Sequence, residues 1–373
     1  MKTKIQDMTS GSPGRLIILF AIPLMLGNIC QQLYTMVDTM VVGQIAGVEA
    51  LAALGAVDFL MWVVTGISTG LTQGFSIQLS QYYGAKDFEN LRKSLAHSYR
   101  LTAFIAVGVF ILSQSFAALV LTGLHTPSNI IGMSLLYLRI IFCGIPATAA
   151  YNMFAAALRA MGNSKTPLTA MIIASVLNIS LDILFVAGFG WGVAGAAIAT
   201  VIAQSFSAVY CFLILRRIDI VHLSRADFMS AAGMNARLMK LGIPVVFQNI
   251  IIGVGGLVVQ YVINGYGFLF VAGFTATNKL YGLLEMAAIS YGYAIVTYVG
   301  QNLGAGKIDR IRKGVRSSML LSLLTSLIIS IAMFLFGKNI LSLFISGEPQ
   351  QTKEVLAIAF KYLSIMAAML WVL

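Results

Sequence analysis

Charge is scarce in this sequence. Of its 373 residues, 10% are Asp, Glu, Lys or Arg against 59% hydrophobic ones, a polar share too small to coat a globule in water. With a mean hydropathy of +0.89, lipid is the expected solvent. Cysteine is equally thin. Cys30, Cys143 and Cys211 lie in or at the ends of apolar runs, at no CxxC or metal-ligand spacing, and read as small packing residues. His97, His125 and His222 show no HxxxH spacing, and neither GxSxG nor a Walker-type phosphate loop occurs. No catalytic constellation and no organic cofactor is therefore expected, and ATP hydrolysis drops out.

What the sequence has is long apolar runs. Ten recur, near residues 16–45, 50–78, 94–122, 131–158, 167–187, 193–215, 238–264, 271–299, 317–344 and 356–373. Each can cross a hydrocarbon core of ~30 Å as a helix. The formal charge of +11 does not imply nucleic acid, because the basic residues sit between spans on alternate sides, as the positive-inside rule requires. Lys2, Lys4 and Arg15 precede the first span; Lys86, Arg92, Lys93 and Arg100 follow the second, and Arg159 and Lys165 the fourth. Arg216, Arg217, Arg225, Arg237 and Lys240 follow the sixth, and Lys307, Arg310, Arg312, Lys313 and Arg316 the eighth. Connections 46–49, 123–129, 188–191 and 265–268 carry no Lys or Arg. The expectation is a multi-pass protein with a cytoplasmic N-terminus, breached in pattern only near Lys338 and Lys353. The polar leader 1–14 lacks a small-residue cleavage site and does not read as a signal peptide. The run that closes on Trp371, Val372 and Leu373 has no polar tail, which suggests a C-terminal truncation.

The chain also repeats itself. Phe20-Ala21-Ile22-Pro23 aligns with Leu241-Gly242-Ile243-Pro244, and Asn28 with Asn249, at a shift of 221 residues. Further on, Gln81-Tyr82-Tyr83-Gly84-Ala85 matches Gln301-Asn302-Leu303-Gly304-Ala305, and Arg92-Lys93 matches Arg312-Lys313, at 220. Six spans separate the matched points, so both copies enter from the same side and a pseudo-two-fold axis along the membrane normal is expected, as in secondary transporters. The division is an N-terminal lobe over 1–217 with six spans, an inter-lobe loop over 218–236, and a C-terminal lobe over 237–373 with about four. Pro23 and Pro244 are shared kinking devices. Asp38 is not shared, since its counterpart is Val259 or Gln260.

An ionisable group near mid-membrane costs ~2.5–3.5 kcal/mol and needs a reason. Asp38 shares a helix face with Tyr34 and Gln31; a carboxylate that snorkels or is hydrogen-bonded to the next helix is the structural alternative. Asp182 follows Asn178 by one turn, placing a carboxylate and an amide oxygen on one stripe. Such oxygens suit a hard cation such as Na⁺, or a proton on the carboxylate; a bond between the two side chains is the plainer alternative. Gly192, Ala196 and Thr200 recur every four residues on the sixth span, a close-packing face that could bring the Thr200 hydroxyl to the same place. For Asp58, Arg139, Lys279 and Glu285 a structural role is at least as good a reading, and they are left outside the site.

At this point the sequence resembles the multidrug and toxin extrusion (MATE) transporters, in their DinF-like branch. The resemblance spans the whole chain and rests on Ile22-Pro23 with Asp38-Thr39-Met40-Val41-Val42-Gly43, on Ala157-Leu158-Arg159-Ala160-Met161-Gly162-Asn163 with Lys165-Thr166-Pro167, and on Asn178-Ile179-Ser180-Leu181-Asp182. Gly192-Val193-Ala194-Gly195-Ala196-Ala197 and Gly300-Gln301-Asn302-Leu303-Gly304-Ala305 complete it. It implies an all-α integral membrane fold of two helical lobes, with about ten of twelve transmembrane helices present, in a bacterial or archaeal cytoplasmic membrane. It implies export of cationic or amphipathic drugs by antiport with Na⁺ or H⁺, by a monomer. The cation site falls on Asp38, Asn178, Asp182 and Thr200, with Gln31, Tyr34 and Asn152 lining the substrate cavity and Pro23 as hinge. A lipid-linked oligosaccharide flippase of the same superfamily is the alternative, which a basic cavity would favour; a membrane-embedded enzyme or scaffold is disfavoured by the repeat.

Overall fold

The computed structural model describes residues 5–124, 126–229, 232–266, 268–342 and 349–372. Among the described residues there are twelve α-helices, a few short 3₁₀ and π turns, and no strand. Helix α1 (Pro13–Val41) starts on a proline, where the missing N–H is no loss, and runs on through Pro23 before widening into a π-helical turn, Val42–Ala46. Gly47, at φ 92°, allows the reversal into α2 (Val48–Gly55), which with α3 (Asp58–Gly84) makes the second span. The Asp87 carboxylate accepts the Asn90 N–H at 3.1 Å and so caps α4 (Phe88–Gly123).

The fourth span departs from expectation. The apolar run 131–158 reads as one helix, yet the structure divides it into α5 (Ile131–Cys143) and α6 (Ile145–Ala160), bent by 45°. Pro146 cannot donate to the carbonyl one turn back. At the break sits Gly144, where a Cβ would come within 2.7 Å of Val201 Cγ2. Helix α7 (Lys165–Asp182) also ends in a π turn, Ile183–Gly188, and α8 (Gly192–Leu215) follows. After a connection with two 3₁₀ turns come α9 (Met234–Asn264), α10 (Phe268–Gly304), α11 (Ile308–Ser342) and α12 (Pro349–Met369). Nine stretches among the described residues are long and apolar enough to span a membrane, ten when the bent pair counts as one.

The repeat is visible in the packing. Helix α1 lies on α10, α3 lies on α9, and α3 meets α10. Because the repeat pairs α1 with α9 and α3 with α10, the first two contacts exchange under the pseudo-two-fold axis and the third lies on it. Asn28 Nδ2 donates to Ser290 Oγ at 3.2 Å and Asn249 Nδ2 to the Gly66 carbonyl at 3.1 Å, each crossing to the opposite half. The turns after α3 and α10 match as well. Left-handed Lys86 (φ 58°) stands where Gly306 (φ 70°) stands 220 residues later. On the axis, a Cβ on Gly84 would overlap the Gln301 carbonyl oxygen, and one on Gly304 that of Gln81. Where lipid is the solvent, association rests on such close backbone approach and on interhelical hydrogen bonds.

On this basic face the leader straps the halves together. The Gln6 N–H donates to Gly162 O at 3.1 Å, the Met8 N–H to Gln301 Oε1 at 3.0 Å, Asn302 Nδ2 to Met8 O at 2.9 Å, and Arg310 to Gly11 O at 2.9 Å. Met8, Ile17 and Phe20 are wholly buried in one cluster with Tyr291 and Tyr298. The connection after α8 is pinned too: His97 meets Asn235 Oδ1 at 2.7 Å and Met229 O at 3.1 Å. Asp227, buried, accepts from the Ser224 N–H at 2.7 Å and hydroxyl at 2.8 Å, with Arg92 Nε at 3.9 Å. Burial alone would raise this carboxyl, but the Ser224 donors, with Arg92 and Lys93, outweigh it and hold the group below the usual carboxylate range.

Candidate functional site

A polar cavity of about 330 Å³ opens within the N-terminal half. Helix α1 supplies Asn28, Gln31, Thr35 and Asp38 to its wall at three- and four-residue steps down one face, with Tyr34 beside Thr35. Helix α3 contributes Thr65, Thr69 and Thr72, α5 and α6 contribute Tyr137, Thr148, Tyr151, Asn152 and Arg159, and α8 contributes Thr200 and Gln204. Tyr293 of α10 reaches in from the other half. All three residues expected to line a cavity, Gln31, Tyr34 and Asn152, do so, together with Asp38 and Thr200.

Asn178 and Asp182 sit just behind this wall, fully buried on α7, which packs between α1 and α8. Asn178 Nδ2 donates to Thr200 Oγ1 at 3.4 Å, joining α7 to the cavity through the hydroxyl singled out from the sequence. The structure does not pair Asn178 with Asp182. Instead Asp38 Oδ1, Asn178 Oδ1 and both Asp182 oxygens are buried without a hydrogen-bond donor. Desolvated acceptors with no partner are expensive, and here four of them stand on the adjacent helices α1 and α7. The groups that meet here are carboxylate, amide and hydroxyl oxygens, hard donors of the kind that suit a hard cation.

Both acids stand at helix irregularities. The π turn of α1 begins four residues after Asp38, and that of α7 begins at the residue after Asp182. The two π turns touch. Widened turns of this kind concentrate at functional positions because they release backbone groups from the regular ladder.

Several wall residues escaped sequence reasoning. Gln204 follows Thr200 by one turn, on the same stripe; its Nε2 donates to Tyr34 Oη at 3.2 Å while its Oε1, buried, has no partner. Thr65, Thr69 and Thr72 form a helical polar stripe that was readable but unread, and Asn152 Nδ2 donates to Thr69 Oγ1 at 3.2 Å. Arg159 is a correction. Its place after the fourth apolar run assigns it to a basic loop, but it lies in the last turn of α6, lines the cavity, and stacks on the Tyr293 ring at 4.7 Å. Arginine tolerates this because its stem and planar head pack on an aromatic face. Of the residues left outside the site, Asp58 opens α3, where an acid favours the helix dipole. Arg139 is exposed on α5, Glu285 is half-buried on α10 away from the cavity, and the Lys279 side chain lies outside the described set.

A family model, MatE, matches residues 23–184 and 244–373. The chain belongs to the MATE family. As a MATE-family transporter it resembles the probable multidrug resistance proteins YoeA and YpnP of Bacillus subtilis (strain 168). YoeA is 29% identical over 368 residues, which are 96% of this chain and 78% of the relative; YpnP is 31% identical over 346 residues, 93% and 77%. The probable multidrug resistance protein NorM of Thermotoga maritima is 26% identical over 339 residues, 90% and 72%. Among solved structures, a MOP superfamily transporter from Pyrococcus furiosus, described as having a binding pocket of reversed polarity, superimposes with a TM-score of 0.92. It is 22% identical and covers 99% of this chain and 82% of its own. An outward-facing multidrug resistance MATE transporter gives 0.91, at 21% identity over 99% and 82%. These likenesses bear out the family and the all-α fold with its pseudo-two-fold repeat.

Proposed function

We propose that this MATE transporter exports small cationic or amphipathic compounds in exchange for Na⁺ or H⁺, with the coupling cation held by Asp38, Asn178, Asp182 and Thr200. The observation that carries the proposal is the set of buried, partnerless oxygens on Asp38, Asn178 and Asp182 beside the Thr200 hydroxyl. A cation arriving there supplies what the donors lack. The substrate occupies the cavity of Gln31, Tyr34 and Asn152, where Asp38 offers the countercharge to an organic cation. Coupling follows from Asp38 serving both ligands: cation binding withdraws its charge from the cavity, and the substrate loses its partner.

Relieving a buried carboxylate is worth a few kcal/mol, ~2.5–3.5 by insertion scales, enough to shift a two-state equilibrium roughly 100-fold. The moving parts are the lobes 1–217 and 237–373, joined by 218–236, with α1 bending at Pro23, where the helix already lacks one hydrogen bond. The leader and the basic connections then lie on the cytoplasmic side. Relatives named for multidrug resistance support this reading over a flippase, as does a cavity whose Arg159 is stacked on Tyr293 while Asp38 faces the space.

The test is ethidium or norfloxacin efflux from vesicles under a Na⁺ or a pH gradient imposed separately. Transport driven by one gradient and abolished by Asp38→Asn and Asp182→Asn is the expected result. Undiminished efflux in either variant sinks the mechanism.

A further inference from the structure

Outside the transport cavity, two hollows lie end to end on the flank of α4, α6 and α8. The inner one, about 310 Å³, is walled by Tyr99, Ala103, Pro146, Ala150, Phe154 and Phe212 among other residues. The outer one, also about 310 Å³, shares Tyr99 and Phe212 with it and continues along Arg216, His222, Leu223 and Phe228. The waist is aromatic: Tyr99 meets Phe154 edge-on at 5.3 Å, and Phe154 meets Phe212 at 5.2 Å. Small side chains at Ala103 and Ala150 leave the inner hollow empty. Its α4 rim passes Phe104 and Val107, which are exposed on the membrane-facing surface.

Two polar details show what the pair of hollows could hold. Thr102, also on the inner wall, is buried, and its hydroxyl has no partner. Arg216 lies at the mouth, its guanidinium 5.6 Å from the Phe212 ring, exposed and without an ion pair among the described residues. Arg217 is beside it. Of the acids in the connection, Asp219 stands three residues from Arg216 but makes no ion pair with it among the described residues, and Asp227 is taken up by Ser224 and Arg92; Arg100 is occupied with Phe228 O at 3.5 Å and His97. An apolar chamber at membrane depth, a spare hydroxyl donor below a ring-lined waist, and an uncommitted guanidinium at the interface follow the order of an acyl chain, a glycerol ester and a phosphate.

We propose that these hollows bind one anionic phospholipid of the leaflet on the basic face, its acyl chain in the inner chamber, an ester carbonyl on Thr102 and its phosphate on Arg216. A free phosphate would leave the inner chamber unused. The proposal is independent of how transport is coupled.

Native mass spectrometry of the intact protein with phosphatidylglycerol and phosphatidylcholine of the same chains is the test, alongside a photoactivatable acyl-chain phosphatidylglycerol. Phosphatidylglycerol should be retained about fivefold over phosphatidylcholine, in line with one basic group near an anionic surface, and the label should map to the α6 segment of Ala150 and Phe154. Arg216→Gln should erase the preference and Arg216→Lys restore part of it, while Ala103→Trp should displace the label. Equal retention of both lipids, labelling elsewhere, or displacement by inorganic phosphate alone would each overturn the proposal, and the first two need no variant to fold.

Discussion

Gln301 on α10 donates from its Nε2 to the carbonyl of Ala160 on α6 at 2.9 Å. One side chain of the second half thus satisfies the end of a helix in the first, where a carbonyl has no partner within its own helix. Its other atom holds the leader through Met8.

Gln301→Ala therefore strips a donor and an acceptor from a closed seam. Buried groups left unpaired cost about 1–3 kcal/mol each. The seam should loosen, with faster amide exchange across residues 6–11 and around 160–163, while α4 and α8 keep their protection. Unchanged exchange at the leader would show that the strap does not depend on this side chain.

Asp182→Asn removes a buried carboxyl group without a hydrogen-bond partner, and with it the charge that group carries when ionised. In Na⁺-free buffer the variant should melt no lower than the parent, and higher by up to the ~2.5–3.5 kcal/mol such a charge costs in apolar surroundings. Any stabilisation of the parent by added Na⁺ or by acidification should vanish with it. Thermal unfolding in detergent at two salt compositions reads both effects.

Gly84→Ala and Gly304→Ala each place a methyl group onto a backbone oxygen of the opposite half. Overpacking typically costs about 1–3 kcal/mol, and here no rotamer change can relieve it. Gly108→Ala, in the middle of α4 with nothing within 4 Å of the added carbon, should instead stabilise by up to ~1 kcal/mol through helix propensity. Melting temperatures of the three variants should split in opposite directions.

Asp227 gives a pH signature. Its carboxyl is held below the ordinary value in the folded protein, so the stabilisation it provides is complete above the unfolded value of ~3.9 and disappears as pH falls through the lowered folded value. Limited proteolysis of the 216–233 connection should be flat from pH 7 to 5 and accelerate only in stronger acid. In Asp227→Asn, cleavage should be faster at neutral pH and the acid dependence weaker.

Much of this was legible beforehand, for identifiable reasons. Span positions follow from apolar run length, which lipid enforces directly, and the repeat from matched prolines and glycines that the axis contacts require. Asp38, Asn178 and Asp182 stood out because ionisable and amide groups are rare in such runs. What escaped depended on three-dimensional placement. The bend at Gly144 lies inside an unbroken apolar stretch, where hydropathy is blind to geometry. Arg159 ends a helix and therefore looks like a loop residue, although the α6 axis turns it inward onto Tyr293. The π turns after Asp38 and Asp182 have no side-chain pattern of their own.

The reciprocal contact of Gly84 with Gln301 and Gly304 with Gln81 also limits how far the two halves can differ. Each contact is the other's mate under the pseudo-two-fold axis, so the seam carries the same demand twice. In one chain the two halves can differ at matched positions, as Asp38 and its counterpart do. The glycines have no such latitude, because each faces main chain, and no change of sequence in the neighbouring half removes a peptide oxygen.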